Sequence, residues 1–428
     1  MKALPTADYD ALVVGGGPAG ATAAILLAQS GWRVAVVEKK SFPRRKVCGE
    51  FVSATTWPLL RSLGVAQSVL AQAGPEVRRV GLYAGATMLA AAMPSPRVGP
   101  ADWGRALGRE HFDSALLARA AKAGATVLQP WTVSRIERIS GGHRCTAVVN
   151  EKPENGGART NIDLRARIVI AAHGSWEPGP LPTQARRLRP RAADLFAFKA
   201  HFRGSRLPLG LMPLLIFPGG YGGMVQTDGG RVSLSCCVRR DVLEAIRCAP
   251  GIASRHVGAA AAVYAHIEAS CRGVHEVMSG VSLDGAWLSA GPIRPGIRTL
   301  ARGGIFAIGN AAGEAHPIVA EGIGMAIQSA WLLCERLTAH GDAALAADAS
   351  HALAAIGREY EHSWRRNFVT RIRAAALFAQ LAVRPATASQ VVTLVKHVPK
   401  LLTLGARWGG KAQSLRSFPG QHRLRPLP

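Results

Sequence analysis

Blocks of apolar residues alternate with small turn residues from the start of the chain. "DALVVGGGPAGATAAILLAQSGWRVAVVEKK" gives an apolar run from Ala11 to Val14, a glycine turn, an Ala- and Leu-rich stretch from about Pro18 to Gln29, and a second run from Arg33 to Val37 ending at Glu38. Short apolar runs bounded by turn residues predict buried strands, and the longer stretch between them predicts a helix. In the middle, "DLFAFKAHFRG" (194–204), "LLIFPGGYGGMVQTDGG" (214–230) and "RVSLSCCVRR" (231–240) read as strands, with "DGG" before Arg231 making a hairpin turn. Arg239 to Ala269 reads as helical, and "AWLSAGPIR" is expected to return the chain to the first domain. Farther on, "GGIFAI" is a strand that empties into "GNAAGEAHPIVAEGIG" (309–324), after which a helix begins near Gly322. Side chains this small let backbone approach a partner closely. Residues 343–382 are helical in composition, and "SQVVTLVKHVPKLLTLGARW" sets Val391, Val395, Val398 and Leu402 at three- and four-residue steps, with Lys396 and Lys400 elsewhere on the wheel. An apolar stripe at helical spacing is usually core, so the reading is a C-terminal helical cap; the alternative is a basic amphipathic surface for membrane or lipid-like substrate. "RSFPGQHRLRPLP" reads as an unstructured tail.

Composition narrows the class. With 428 residues, 48% of them hydrophobic, the chain can build one large core or two to three domains, and it is neither disordered nor fibrous. No stretch reaches the 18 uninterrupted apolar residues of a membrane span, and "MKALPTADYDALVVGGG" lacks the charged-then-apolar layout of a signal peptide. The expectation is a cytoplasmic protein, with peripheral contact at the inner face of a membrane left open. Seven cysteines form no C-x-x-C pair, which argues against a zinc site and a disulfide framework, so no metal is expected. Charge is more unusual: 52 Lys plus Arg against 27 Asp plus Glu gives +25, and from His362 onward there are twelve Lys or Arg and no acidic residue. The cations are interleaved with Ala, Leu and Val and no nucleic-acid motif appears, so nucleic acid is not expected. Anionic lipid, or an acidic protein carrying the substrate, fits better.

The most specific chemistry is at the front. Gly15, Gly17 and Gly20 make G-x-G-x-x-G between the first strand and the helix, and Glu38 ends the second strand eighteen residues beyond Gly20. The first glycine allows the tight turn, the second lets a pyrophosphate reach the backbone, and the third lets helix and strand pack closely. Glu38 stands where a carboxylate binds ribose hydroxyls. Strand, helix and acid together indicate a dinucleotide, FAD or NAD.

Farther segments carry a resemblance. "FPRRKVCGEFVS" (42–53), "GREHFDSALLARAA" with Arg109 and Asp113, "ATVLQPWTVSRIERI" and the 309–324 stretch stand in the order found in single-Rossmann FAD enzymes. That group includes aromatic hydroxylases, flavin-dependent halogenases and geranylgeranyl reductases, and the resemblance covers roughly residues 8 to 335. It implies FAD as cofactor. The implied contacts are Gly15, Gly17, Pro18, Ala19, Gly20, Glu38, Lys39, Lys46, Cys48, Gly49, Arg109, Val133, Gly309, Asn310, Pro317, Gly322, Ile323 and Gly324. The backbone near Val133 would face the adenine, and the helix starting near Gly322 would offer N–H groups to the flavin ring. Two positions depart from the family pattern: Asn310 stands where Asp is usual, and His173 replaces the Asp of A-D-G-x-x-S. An amide still hydrogen-bonds a ribityl hydroxyl but loses the charge.

The implied fold is α/β: a Rossmann-type FAD-binding domain of three layers with an inserted antiparallel substrate sheet and a C-terminal helical region. The expected division is residues 1–75, 101–175 and 285–340 for the FAD-binding domain, 76–100 and 176–284 for the substrate domain, 341–412 helical and 413–428 a basic tail. One Rossmann fingerprint means NAD(P)H would visit transiently or a separate reductase would supply electrons. The W-x-W-x-I-P signature of halogenases is missing, so halogenation is not expected. The leading expectation is an FAD-dependent monooxygenase acting on an aromatic or polyketide-like substrate, free or carried on an acidic protein or peptide. Reduction of a prenyl or lipid carbon–carbon double bond is the alternative, favoured by "KVCGE", and a non-catalytic binding protein resembling prenyl-protein chaperones is a third reading. Catalytic candidates are few. Cys48 is a redox thiol or, more simply, a pocket wall. Glu50 is a proton donor or, more simply, an ion-pair partner of Arg44, Arg45 or Lys46. His316 moves protons or merely neighbours a turn-shaping Pro317, and Tyr221 binds substrate or covers the ring.

Overall fold

The computed structural model describes residues 8–95, 103–150, 160–174, 179, 181–184, 189–248 and 258–411. The expected basic tail lies outside these. Two large sheets organise the chain. The first follows the order Ala301–Arg302, Ile305–Ala307, Asn161–Ala171, Asp8–Val14, Val34–Val37, Thr126–Leu128, and Trp131–Ile139 and Gly142–Val149 extend it from Asn161–Ala171. Its central pairs are parallel: Leu12 pairs with Val169 on one side and with Ala35 on the other. Such strands are covered on both faces, which explains their unbroken apolar runs. Helices Pro18–Gln29, Arg109–Lys122 and Gly322–His340 cover one face, enclosing Ile25, Phe112, Ile308 and Leu333, while Leu12, Val37, Val133 and Cys145 form the core on the other.

The second sheet has the order Ser282–Ile293, Leu195–Arg203, Val232–Arg239, Gly220–Gln226, Leu211–Phe217, Arg79–Ala84, Thr87–Ala92. Its pairs are antiparallel except Leu211–Phe217 with Arg79–Ala84, which run parallel. The hairpin at "DGG" forms as expected, with Met224 opposite Leu234. "AWLSAGPIR", expected to rejoin the first domain, instead lies in the edge strand Ser282–Ile293, where Leu288 pairs with Lys199. The expected boundary at residue 285 thus falls inside a strand of the second sheet.

Side-chain alternation gives the second sheet two faces. Phe198, Ala200 and Phe202, with Leu234 and Val238, pack beneath Val263, Ile267 and Val274 of the helices after it. The expected helix over 239–269 is two helices among the described residues, Arg240–Cys248 and Ala259–Ser270. The opposite face presents Leu82, Ala84, Ile216, Tyr221 and Cys237 to the C-terminal helices. The long helix Ser350–Val383 buries Tyr360, Trp364 and Phe368 against the first domain and Ala379 and Ala382 against this sheet. After it, the single amphipathic helix expected across 391–402 is broken into Pro385–His397 and Lys400–Ala406. Pro399 has no N–H and forces Val398 out of the helical region, so the stripe turns a corner there. Val395 is buried on the sheet as expected of a cap, whereas Val398 is exposed. Among the described residues no helix is long and apolar enough to cross a membrane.

Candidate functional site

The glycine turn is built as its spacing demands. Gly15 has φ +109°, and a Cβ there would stand 2.6 Å from the carbonyl oxygen of Ala172; at Gly20 it would stand 1.8 Å from that of Gly15. These two contacts bring strand, helix and the neighbouring strand together with no room for a side chain. At Gly17, by contrast, a Cβ would meet only an Arg109 guanidinium nitrogen at 3.9 Å, so the approach to the helix N-terminus is open. Pro18 and Ala19 begin that helix and are buried. Glu38 is 3% exposed and its carboxylate accepts the Gly16 N–H at 2.8 Å and the Lys40 N–H at 3.0 Å.

Cations gather around this turn. Burial, then the nearby Arg109 and Arg44, push Lys46 down to about 8. Burial likewise lowers Lys39. Burial opposes the charge of Arg109, yet Asp113 raises it through a bidentate pair at 2.6 and 2.7 Å. His173 is pushed down to about 4 by burial, with Lys39 and Arg298 adding to it, so its imidazole is neutral at neutral pH. It bonds Gly174 O and Thr183 Oγ1, each at 2.8 Å, in place of the acid usual there. Partly desolvated cations facing an open helix N-terminus suit a dianionic pyrophosphate, so the residues fit FAD at this end.

The segment 46–53 runs between the two sheets. Cys48 is half-buried, and its Sγ accepts the Glu50 N–H at 3.3 Å. A Cβ on Gly49 would lie 3.5 Å from Ser235 Oγ of the second sheet. Glu50 departs from expectation. Arg44 bonds Glu38, and Arg45 pairs with Glu110 and Asp284, while Glu50 is fully buried on Lys199 and on His201 Nε2, the latter at 2.7 Å. Burial opposes the carboxylate charge, but His201 and Lys199 hold its pKa below the usual value. The carboxylate is thus an ion-pair partner, with Lys199 and His201 in place of Arg44, Arg45 or Lys46. The signal that was overlooked is "KAH" in "DLFAFKAHFRG": Lys199 and His201 alternate with apolar residues and therefore share the face opposite Phe198 and Phe202.

The 309–324 loop closes the site. Gly309 has φ +58° and packs so tightly on Ala19 that a Cβ would lie 2.9 Å from it. The Asn310 side-chain amide donates to Glu314 at 2.9 Å, while the Asn310 backbone carbonyl accepts from Arg298 at 2.9 Å. Pro317 heads the short turn Pro317–Val319, after which Ala320 takes a left-handed φ of +50°. The helix begins at Gly322, where a Cβ would meet nothing within 4 Å, and continues through buried Ile323 and Gly324. Glu321, at its N-cap, accepts from Ser53 at 3.0 Å and from Lys411 Nζ at 3.3 Å. Lys411 also donates to Val319 O at 2.9 Å and lies 4.5 Å over the Phe51 ring, which fastens the end of the C-terminal arm onto this loop. Lys411 is a partner that no local spacing foretells, since 90 residues separate it from Glu321. Tyr221 projects from the second sheet with its hydroxyl 3.4 Å from His316 Nδ1. Burial pushes His316 down to about 4 and raises Tyr221 well above 10, so both are neutral near pH 7. Val133 stands apart from this group, in strand Trp131–Ile139 beside a register shift between Val133 and Arg135.

Comparison with known proteins agrees with this geometry. Residues 8–179 match the FAD binding domain family. A tryptophan 2-halogenase from Chondromyces crocatus is 27% identical over 75% of this chain and 59% of its own length. A 1H-pyrrole-2-carbonyl-(peptidyl-carrier protein) chlorinase from Pseudomonas fluorescens is 32% identical over 39% of each chain. The chain thus spans less than two thirds of the length of these curated relatives. The solved p-nitrophenol 4-monooxygenase from Pseudomonas putida superposes with a TM-score of 0.70 at 16% identity, covering 95% of this chain and 99% of that one, which establishes a shared fold.

Proposed function

From the premise that residues 8–179 are an FAD-binding domain within a flavoprotein fold, we propose that the chain is an FAD-dependent monooxygenase that hydroxylates an electron-rich aromatic or polyketide-like substrate. The observation that carries this reading is the neutral pair His316 and Tyr221, 3.4 Å apart where the 309–324 loop meets the second sheet, with Ile318 beside them. A neutral imidazole accepts a hydrogen bond from a phenolic hydroxyl, and a protonated tyrosine orients the same oxygen by donating one. Bound FAD, once reduced by NAD(P)H, would supply the activation of dioxygen; the chain holds the substrate ring, orients its hydroxyl and excludes water. Double-bond reduction needs a proton donor after hydride addition. Neither residue is a ready donor, since the imidazole is already deprotonated near pH 7 and the phenol is held well above 10, whereas hydroxylation asks of the pair only that it orient the phenolic oxygen, which favours hydroxylation over reduction.

Halogenation is the second reading, supported by the two curated relatives that carry it in their names. The absence of W-x-W-x-I-P from this sequence counts against it. The carrier-protein substrate of the chlorinase, together with the +25 charge, supports a substrate presented on an acidic carrier. The test supplies FAD-loaded protein with NAD(P)H, oxygen and phenolic aromatic compounds, with and without chloride or bromide, and reads products by mass. Gain of one oxygen irrespective of halide is the expected outcome. Halide-dependent gain of halogen would transfer the assignment to halogenation, and a product two hydrogens heavier would transfer it to reduction.

A further inference from the structure

Glu50 concentrates two unfavourable features in one residue. Its φ is +62°, a left-handed backbone that side chains beyond glycine seldom adopt, and its carboxylate has no exposure to water. The groups opposite, Lys199 and His201, are 0% and 1% exposed. A buried ion pair is a poor device for stability alone, since apolar residues of similar volume usually serve as well or better. Its contacts indicate what it does instead. The Glu50 carboxylate accepts the N–H of Arg109 at 3.1 Å, and its carbonyl accepts the N–H of Leu107 at 3.2 Å. Its own N–H is donated to Cys48, and Lys199 Nζ reaches the Lys46 carbonyl at 3.5 Å. Three separate elements therefore meet on one carboxylate: the Lys46–Glu50 segment, the start of the Arg109 helix, and strand Leu195–Arg203 of the second sheet. Lys46 and Arg109 are two of the cations around the glycine turn, and the Arg109 guanidinium borders the open space at Gly17.

We propose that Glu50, Lys199 and His201 form a positioning cluster that ties the second sheet to the Lys46–Glu50 segment and the Arg109 helix, holding the cofactor-binding face preorganised. The inference rests on the FAD reading above. All three are enclosed by protein, and their contacts run to Lys46, Cys48 and Arg109, through which they act. Removing the cluster without leaving a buried charge loosens the cofactor face while the surrounding apolar cores keep the fold.

The test is the pair Glu50→Gln and Lys199→Met in one chain, compared with wild type by thermal unfolding without added FAD, by FAD dissociation constant from flavin fluorescence, and by the visible spectrum of the bound flavin. The expected result is a melting temperature within a few degrees of wild type, FAD binding weakened tenfold or more, and an altered bound spectrum. Should that chain fail to fold, His201→Leu and His201→Gln replace it: the Leu variant is expected to bind FAD more weakly and the Gln variant, which restores a donor to Glu50, to recover most of the difference. Variants that bind FAD within twofold of wild type, with an unchanged spectrum, overturn the positioning role. A wild-type protein that takes up no FAD overturns the FAD reading beneath it and this inference with it.

Discussion

His316 and Tyr221 share one environment, and burial keeps both uncharged for opposite reasons: it removes the proton from the imidazole and retains it on the phenol. His316 protonates near pH 6.5 in the unfolded chain and only at about 4 in the folded one. Between those values the unfolded state binds more protons, so stability is full above 6.5, declines as pH falls and levels off below 4. A shift of this size corresponds to about 3 kcal/mol at most. His316→Gln is therefore expected to flatten the loss of melting temperature between pH 6.5 and 4; equal slopes in variant and wild type would contradict the burial argument. The same substitution removes the imidazole proposed to accept a hydrogen bond from the substrate hydroxyl and is expected to lower kcat/KM on a phenolic substrate by about tenfold. Tyr221→Phe, which keeps the ring in the wall and deletes only the hydroxyl, is expected to raise KM more than it lowers kcat.

At the scale of elements, the glycines discriminate between folding and cofactor roles. Gly20→Ala would drive a methyl onto the Gly15 carbonyl, and the helix would have to leave the strand, so loss of both FAD binding and cooperative unfolding is expected. Gly322→Ala meets nothing within 4 Å, and Ala favours the helix it begins. It is expected to melt at or above the wild-type temperature while binding FAD more weakly, because the methyl occupies the approach to the helix N-terminus. Unchanged FAD affinity would mean that this helix start does not face the cofactor. The strand–turn–helix at the front was legible because each of its contacts is local: Gly15, Gly20 and Glu38 lie within one βαβ unit, and spacing alone dictates their geometry. The partner of Glu50 was not legible, because the three neighbouring cations compete on sequence distance and only the folded second sheet brings Lys199 and His201 across 149 and 151 residues. Nor was the latch of Lys411 on Glu321, separated by 90 residues. The break at Pro399 was legible in principle from the proline itself, but the three- and four-residue apolar steps on either side masked it.

At the scale of the whole molecule, charge is the property that the fold does not explain. The cations around the glycine turn answer to an anionic cofactor, and Lys411 answers to Glu321. Among the remaining cations, Lys396, Lys400 and Arg407 are exposed on the C-terminal helices, beside exposed Leu394, Val398, Leu404 and Trp408. Charges in water act over about 10 Å at 0.1 M salt and are screened beyond it, so a basic surface of this kind speeds and orients the approach of an acidic partner more than it tightens a small neutral ligand. If the substrate arrives on an acidic carrier, raising salt is expected to raise KM for the carrier-bound substrate several-fold while leaving KM for the free fragment nearly unchanged. Equal salt dependence of the two would detach the charge from substrate delivery. A further contrast comes from Lys396→Glu combined with Lys400→Glu. Both side chains are exposed on the outer side of the C-terminal helices, so turnover of the free fragment is expected to persist, and only the carrier-bound substrate should lose its advantage at low salt.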